Sequence, residues 1–590
     1  MKLLLAFFLM ISSLPVFAIG NNNIKIYHRG DNQVIITMEK AHKYMLLPIQ
    51  ESSHEARINI IVDNNLVNSF NVRLAVDSID YYVPLEMPEN AIANIHHISE
   101  KAVCWQNISL ADSFDTSNRE KYRPVYHFTP AYGWMNDPNG MVYKDGEYHL
   151  FYQHNPYGSM WGNMHWGHAV SKDLVNWSHM PEAIAPDWLG AIFSGSCVVD
   201  KDNTAGFGKD AIIAIYTSAA EKQTQSIAYS TDNGRTFKRY NMNPVLTSQL
   251  RDFRDPKVFW YEPENKWILI LAAGQEMQIY SSSNLKEWAF ESSFGEGQGA
   301  HGGVWECPDL IEVPVEGTGK KKWVLICNLN PGGPFGGSAT QYFVGNFDGH
   351  KFTNEFPSET KWMDYGKDHY ATVTWSNVPD NRHVGIAWMS NWQYANNVPT
   401  TQYRSANSIP RDITLYETED NIFLRNTPVK ELLNLRSKTV VEKSFGVNGK
   451  KTLKNFIPGG SGAYEIELSI KNKNAKIIGM AFTNSKGEDV TLEYNVVEKK
   501  LSFDRTRSGI TGFSKDFPAV TSAPVAESGN DLKLRIFVDS SSMEVFVNDG
   551  KSVMTNLVFP SVPYNNLDFY SNGGSYKVTS LKVYQIKDNK

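Results

Sequence analysis

Ser171-Lys172-Asp173-Leu174-Val175-Asn176-Trp177 returns as Ser230-Thr231-Asp232-Asn233-Gly234-Arg235-Thr236-Phe237 and as Ser282-Ser283-Asn284-Leu285-Lys286-Glu287-Trp288. Asn346-Phe347-Asp348-Gly349-His350-Lys351-Phe352 is a looser fourth copy, and the closing aromatics stand 60, 51 and 64 residues apart. Ser, Asp, Asn and Gly before an aromatic make a turn between strands, and apolar runs at 211–216 and 267–271 precede two of the copies. The period is longer than the usual propeller repeat but suits a four-stranded blade with extended loops. With a further blade around 383–388, residues 121–415 hold five blades. Ring closure would remove the edges that so many short strands otherwise expose. An open stack of sheets or a pair of sandwiches is the competing arrangement.

Outside this repeat the 590 residues, 42% of them apolar, leave room for further units. Lys2, the apolar stretch 3–11 and the ending Val16-Phe17-Ala18 have the pattern of a secretory signal over residues 1–18, which predicts export to the periplasm, cell surface or medium. No Cys follows the expected cut to carry a lipid, and no later apolar run is long enough to span a bilayer. Residues 19–120 read as a small all-β module, with strand-like segments at 34–36, 57–62 and 71–76 and a polar stretch at 112–121 leading out of it. A linker is expected over 416–435. Residues 436–590 then read as a β-sandwich: 464–470 and 543–547 alternate with period two, as strands with one wet face do, and Asn548-Asp549-Gly550 is a hairpin turn. The fold class is therefore all-β throughout.

The formal charge of -6 and scattered Lys and Arg argue against a nucleic-acid partner, which needs clustered positive charge. Cys104, Cys197, Cys307 and Cys327 are too dispersed for a CxxC ligand set and read as unbridged, incidental thiols.

Three islands carry acids in unusual company: Trp134-Met135-Asn136-Asp137-Pro138-Asn139-Gly140, Phe253-Arg254-Asp255-Pro256 and Trp305-Glu306-Cys307-Pro308-Asp309-Leu310. Splitting a glycosidic bond takes one acid to protonate the departing oxygen and a second carboxylate to attack the anomeric carbon or activate water. Asp137, Asp255 and Glu306 lie too far apart in sequence for local geometry to unite them, whereas inner strands of different blades converge on one channel. Asp137 reads as part of a polar turn whose amides keep it ionised, as a nucleophile requires. Glu306, between Trp305 and Cys307-Pro308, reads as an acid/base in a less polar setting that raises its pKa. Asp255 beside Arg254 is expected to stay charged and to bond sugar hydroxyls. Spacing alone does not settle which of Asp137 and Asp255 is the nucleophile. Taken singly, each island is an ordinary turn, ion pair or core aromatic; it is their joint occurrence that points to chemistry.

Together the islands resemble the nucleophile, transition-state-stabiliser and acid/base motifs of glycoside hydrolase family 32, which includes invertases, inulinases and levanases. The resemblance extends into the C-terminal region through 534–539 and 542–550. It implies a five-bladed propeller followed by a sandwich, and a retaining double displacement on a β-fructosyl unit: Asp137 attacks C2, Glu306 protonates the leaving group and then activates water, and Asp255 holds furanose hydroxyls. Retention implies carboxyl groups about 5–5.5 Å apart. The chemistry needs no metal or organic cofactor. The resemblance also places Asn136, Gln153, Trp161, Ser194 and Arg254 around the fructose, gives Asp368 an architectural role, and leaves Trp388 and Trp392 divided between pocket and core. The N-terminal module lies outside the family's two-domain pattern; structural support and carbohydrate binding are its alternatives.

The expected partner is a fructan or fructo-oligosaccharide cut from the end of the chain, with sucrose as a further candidate substrate. Endo-cleavage is the alternative within the same chemistry, and a silent carbohydrate-binding protein is the alternative outside it. Sequence does not fix linkage preference or oligomeric state.

Overall fold

A computed structural model describes residues 23–30, 32–39, 42–117, 120–457, 462–526 and 531–587. The expected signal segment, residues 1–18, lies outside them. The chain divides into two compact units: residues through Thr116 with Pro156–Gly158, and the remainder from Ser117. Among the described residues no helix is long and apolar enough to cross a membrane.

The first unit is a five-stranded antiparallel sheet, ordered Ile24–His28, Gln33–Met38, Ile92–His96, Ala56–Val62 and Asn65–Val72, with a three-stranded sheet of Tyr81–Glu86, Tyr44–Ile49 and Ser109–Ala111. Alternation sets its core. Val34 and Ile36 from one strand and Ile58 and Ile60 from another point inward to meet Leu47, Val83 and Trp105, all buried. Tyr81 is buried as well.

The second unit begins with five consecutive sheets, whose first strands are Gly133–Lys144, Ala191–Asp200, Phe253–Tyr261, Val304–Pro314 and Tyr370–Thr374. Each of these strands packs against the first strand of the next sheet, and Tyr370–Thr374 packs against Gly133–Lys144. The short strand Tyr403–Arg404, late in the fifth sheet's sequence, pairs in parallel with Gly133 and Trp134 of the first.

The repeated turns join the third strand to the fourth in the first four sheets. Their chemistry is shared. Ser171 and Ser282 bond the acid or amide two residues on, Leu174 and Leu285 take left-handed φ of 65° and 64°, and Trp177 and Trp288 each donate their indole N–H to that leucine's carbonyl. A non-Gly residue in this region is costly unless its surroundings fix it. The indole hydrogen bond supplies that constraint in the two copies that close on Trp.

Residues 416–435, expected as a linker, are instead ordered structure. Ile422–Pro428 pairs along Arg411–Glu417 and completes the fifth sheet, and a 3-10 turn, Lys430–Leu435, buries Leu432 and Leu435. Residues 418–421 form the hairpin tip between the two strands.

Beyond them a seven-stranded and a six-stranded sheet enclose one apolar core, with Ile466, Leu468, Phe482, Leu492, Ile536 and Val545 among its members. The expected wet face of 543–547 is absent, since every residue of Ser542–Val547 is buried. The reason is a second layer against that strand's outer side. Phe546 packs with Phe128, Ile409 and Val429, and Glu544 binds His127 and Arg411.

Candidate active site

Each of the five first strands carries a β-bulge at the corresponding place. Asn136 and Asp137 together oppose Gln153, Phe193 and Ser194 oppose Thr217, Asp255 and Pro256 oppose Leu271, Cys307 and Pro308 oppose Cys327, and Ala371 and Thr372 oppose Ala387. A bulge bends the strand and re-aims its side chains. Asp255, Cys307 and Ala371 pay for this with φ of 64°, 42° and 55°. Pro256 and Pro308 sit within their bulges, where a backbone N–H has no ladder partner to lose. Asp137 therefore sits in a strand, not in the polar turn its neighbours suggested.

These bulges bring all eight expected residues, Asn136, Asp137, Gln153, Trp161, Ser194, Arg254, Asp255 and Glu306, to one open cavity of about 330 Å³. Phe193, Gln223, Asp252, Asn330 and Trp392 complete its wall. A larger cavity, about 480 Å³ around Lys257, Trp260 and Asn377, contains none of the three acids. Size does not decide between them; convergent carboxylates do.

Asp137 is held by side chains. Asn136 Nδ2 donates to Oδ1 at 3.1 Å, while Ser194 Oγ and Cys307 Sγ donate to Oδ2 at 2.8 and 3.3 Å. Burial and the charge of Glu306 raise its pKa, and these three donors oppose the rise. Asp255 accepts the Cys307 N–H at 3.0 Å, with Arg254 Nε 3.9 Å away. The expectation that Arg254 keeps Asp255 fully charged fails, because burial outweighs the guanidinium and the charges of Glu306 and Asp137 add to it, lifting the carboxyl to about 7.

Glu306 does not stand in an apolar setting. Trp305 points away into the core beside Phe294 and Phe343, while Arg254 donates two N–H groups to Glu306 Oε1 at 3.3 and 3.0 Å and the Tyr370 hydroxyl donates to Oε2. Arg254 is itself fixed by Asp252 at 2.6 Å and Gln223 at 3.2 Å.

Gln153 donates to the Ile192 carbonyl at 2.9 Å and, with the Asn139 amide turned to satisfy its neighbours, to Asn139 as well. Trp161, 45% exposed, forms a flat side of the cavity edge-on to Phe193. Trp392 lines the cavity and stacks on Trp134, whereas Trp388 is buried beneath it. Asp368 lies in the layer between the fifth sheet and the sandwich, bonded to Arg505, Tyr394 and the Leu557 N–H.

All four cysteines are free and buried, but Cys307 is not incidental, since it bonds two of the three acids. Tyr370, Gln223, Asp252 and Asn330 were not legible as site residues. None of the four belongs to the three acid-bearing islands.

The arrangement sets one carboxylate, held by neutral donors, near a second that is bonded by a guanidinium and a phenol, within a concave aromatic pocket. Such a pair can combine nucleophilic attack with proton transfer.

The sequence model for the glycosyl hydrolases family 32 N-terminal domain matches residues 127–426, and that for the family 32 C-terminal domain matches 431–585. A domain of unknown function matches 30–126. The chain is 50% identical to a levanase of Bacillus subtilis (strain 168) over 81% of its own length and 72% of that protein's. It is 38% identical to an extracellular exo-inulinase of Aspergillus awamori over 81% and 96% of the two chains. A crystal structure of exo-inulinase from Aspergillus awamori superposes with a TM-score of 0.74 at 36% identity, covering 80% of this chain and 99% of that one. A β-fructofuranosidase from Schwanniomyces occidentalis, complexed with fructosyl-erythritol, gives the same score at 35% identity over 80% and 100%.

Proposed function

The chain belongs to glycosyl hydrolase family 32, and from that membership we propose how its residues carry out the reaction. The protein is an exo-acting β-fructosidase that releases fructose from the ends of fructan chains, and sucrose fits the same pocket. The five sheets form the blades of a closed propeller, a reading supported by the cyclic packing of their first strands. The chain then falls into an N-terminal module, the propeller and the sandwich.

Asp137 is the nucleophile. Its carboxylate attacks C2 of the terminal fructosyl unit while the proton of Glu306 passes to the departing glycosidic oxygen, leaving a fructosyl ester on Asp137. Glu306, now ionised, takes a proton from water, whose oxygen attacks C2 and breaks the ester, so fructose leaves with retained configuration. Asp255, with its raised pKa, bonds furanose hydroxyls. Arg254 holds Glu306 in place, Trp161 walls the ring, and Asn136, Gln153 and Ser194 bond substrate or nucleophile. The single observation carrying this assignment is the meeting of Asp137, Asp255 and Glu306 at bulges of three different sheets around one cavity.

The N-terminal signal pattern, together with a relative named as extracellular, supports export.

The test pairs an early product time course on levan, inulin and sucrose with the Glu306→Gln variant. Fructose alone at the earliest times is expected, and a ladder of short oligosaccharides would transfer the protein to endo-cleavage. The variant should lose about 10²–10⁴-fold in kcat on fructan while still binding it; undiminished turnover would reject Glu306 as the acid/base.

A further inference from the structure

Of fifteen tryptophans in the chain, the described residues expose only two strongly, Trp161 at 45% and Trp188 at 81%. Trp161 belongs to the pocket wall. Trp188 belongs to nothing described so far, and a solitary surface hydrophobe is ordinarily without meaning. Its setting is what distinguishes it.

Trp188 stands at the tip of a tight turn closed by mutual backbone hydrogen bonds between Asp187 and Gly190, of 3.2 and 3.0 Å. The Asp187 carboxylate accepts the Leu189 N–H at 2.8 Å and lies 3.3 Å from Arg239 Nε. Gly190, at φ 111°, lies so close to Ala219 that a Cβ there would stand 2.2 Å from its carbonyl oxygen. The backbone of the tip is thus fixed on three sides, so little backbone ordering entropy remains to be lost when a ligand lies on the indole.

Two chain paths tie this turn to the cavity. Phe193 and Ser194, both on its wall, follow a few residues along the strand that the turn opens, and Gln223, also on the wall, follows Ala219 around the next hairpin. The acids, Ser194 and Arg254 all lie near the N-terminal ends of their strands, so the segment leading into the second strand runs on the face where the pocket opens.

We propose that Trp188 is a stacking platform for fructosyl units of a fructan chain beyond the one seated in the pocket, giving the enzyme affinity for polymer over disaccharide. The proposal rests on the fructosidase reading and extends it. A furanose ring presents C–H groups that cover an indole face, while its hydroxyls stay in water at this exposed rim. Sucrose has a single fructosyl unit, so once that unit is in the pocket it has no further one to lay on the indole.

Kinetics of Trp188→Ala and Trp188→Phe on levan, inulin and sucrose test this, together with retardation of each protein in native gels containing levan or inulin. Trp188→Ala should raise KM for at least one polymer about tenfold, equivalent to losing roughly 55 Å² of apolar burial. KM for sucrose and kcat for both substrate classes should move less than twofold, and Trp188→Phe should recover part of the loss. A polymer KM within twofold of the parent, or an equal change on sucrose, overturns the proposal. If the parent releases no fructose from any substrate, the fructosidase reading has failed on its own, and the gels then decide: equal retardation of parent and Trp188→Ala, or none in either polymer, overturns the platform.

Discussion

The thiol of Cys307 lies 3.3 Å from Asp137 Oδ2, so a cysteine on the fourth sheet helps to hold a carboxylate on the first. Burial and the surrounding carboxylates push its pKa well up, so the group is a neutral donor. Cys307→Ser keeps a donor and should retain activity within a few-fold. Cys307→Ala should lower kcat/KM about tenfold, the value of one hydrogen bond to a charged group. Steady-state kinetics on sucrose separates the two, and the native thiol should resist iodoacetamide.

Ser194 makes the shortest hydrogen bond to Asp137, and its donation opposes the rise caused by burial and Glu306. As the proposed nucleophile, Asp137 must be ionised, so activity is expected to fall as pH drops through its pKa. Ser194→Ala removes a stabiliser of the anion and should move the acid limb of kcat/KM upward by about one pH unit. An unmoved limb would show that another group controls it.

His127 is fully buried between Asp539, 2.7 Å from Nδ1, and Glu544, 2.9 Å from Nε2. Burial alone would lower its pKa, but hydrogen bonds and charge from the two acids outweigh that and raise it to about 9. The folded value stands above the unfolded one of about 6.5, so the contribution is full below that pH and is lost as pH rises through about 9. Tm should therefore decline between pH 7 and 10. His127→Gln should flatten this decline and destabilise the protein by about 3–5 kcal/mol, because it strands buried carboxylates.

Asp368 is wholly buried against Arg505, Tyr394 and the Leu557 N–H. Asp368→Ala should destabilise by about 3–5 kcal/mol in urea unfolding by leaving Arg505 unpaired. Paired replacement of Asp368 and Arg505 by apolar residues of similar volume should recover much of the loss. If the single variant is as stable as the parent, the pair is not structural.

The turns and acids were legible because each has a local signature: Ser, Asp or Asn before a closing aromatic, or an acid beside Pro and Trp. What sequence could not show was the backbone at those acids. Asp137-Pro138 reads as a turn by composition, yet it is a bulge within a long strand, visible only through its pairing with Gln153. Glu306 looked apolar because Trp305 and Cys307 flank it, but strand alternation sends Trp305 to the core and Glu306 toward Arg254. Gln223 and Asp252 escaped notice because their role is to fix Arg254, and nothing local marks a residue that acts through another. Glu544 appeared solvated because its burial depends on His127 and Arg411, which lie far away in sequence.

Arg411 on the fifth sheet lies between Asp364 and Glu544, and the Thr555 N–H and hydroxyl both donate to Asp364. Glu544 and Thr555 lie 133 and 144 residues beyond Arg411 in the chain. The buried charges of the fifth sheet are thus completed by a sandwich synthesised well after it, and a chain cut ahead of Glu544 would leave Arg411 short of one carboxylate and Asp364 without its threonine donors.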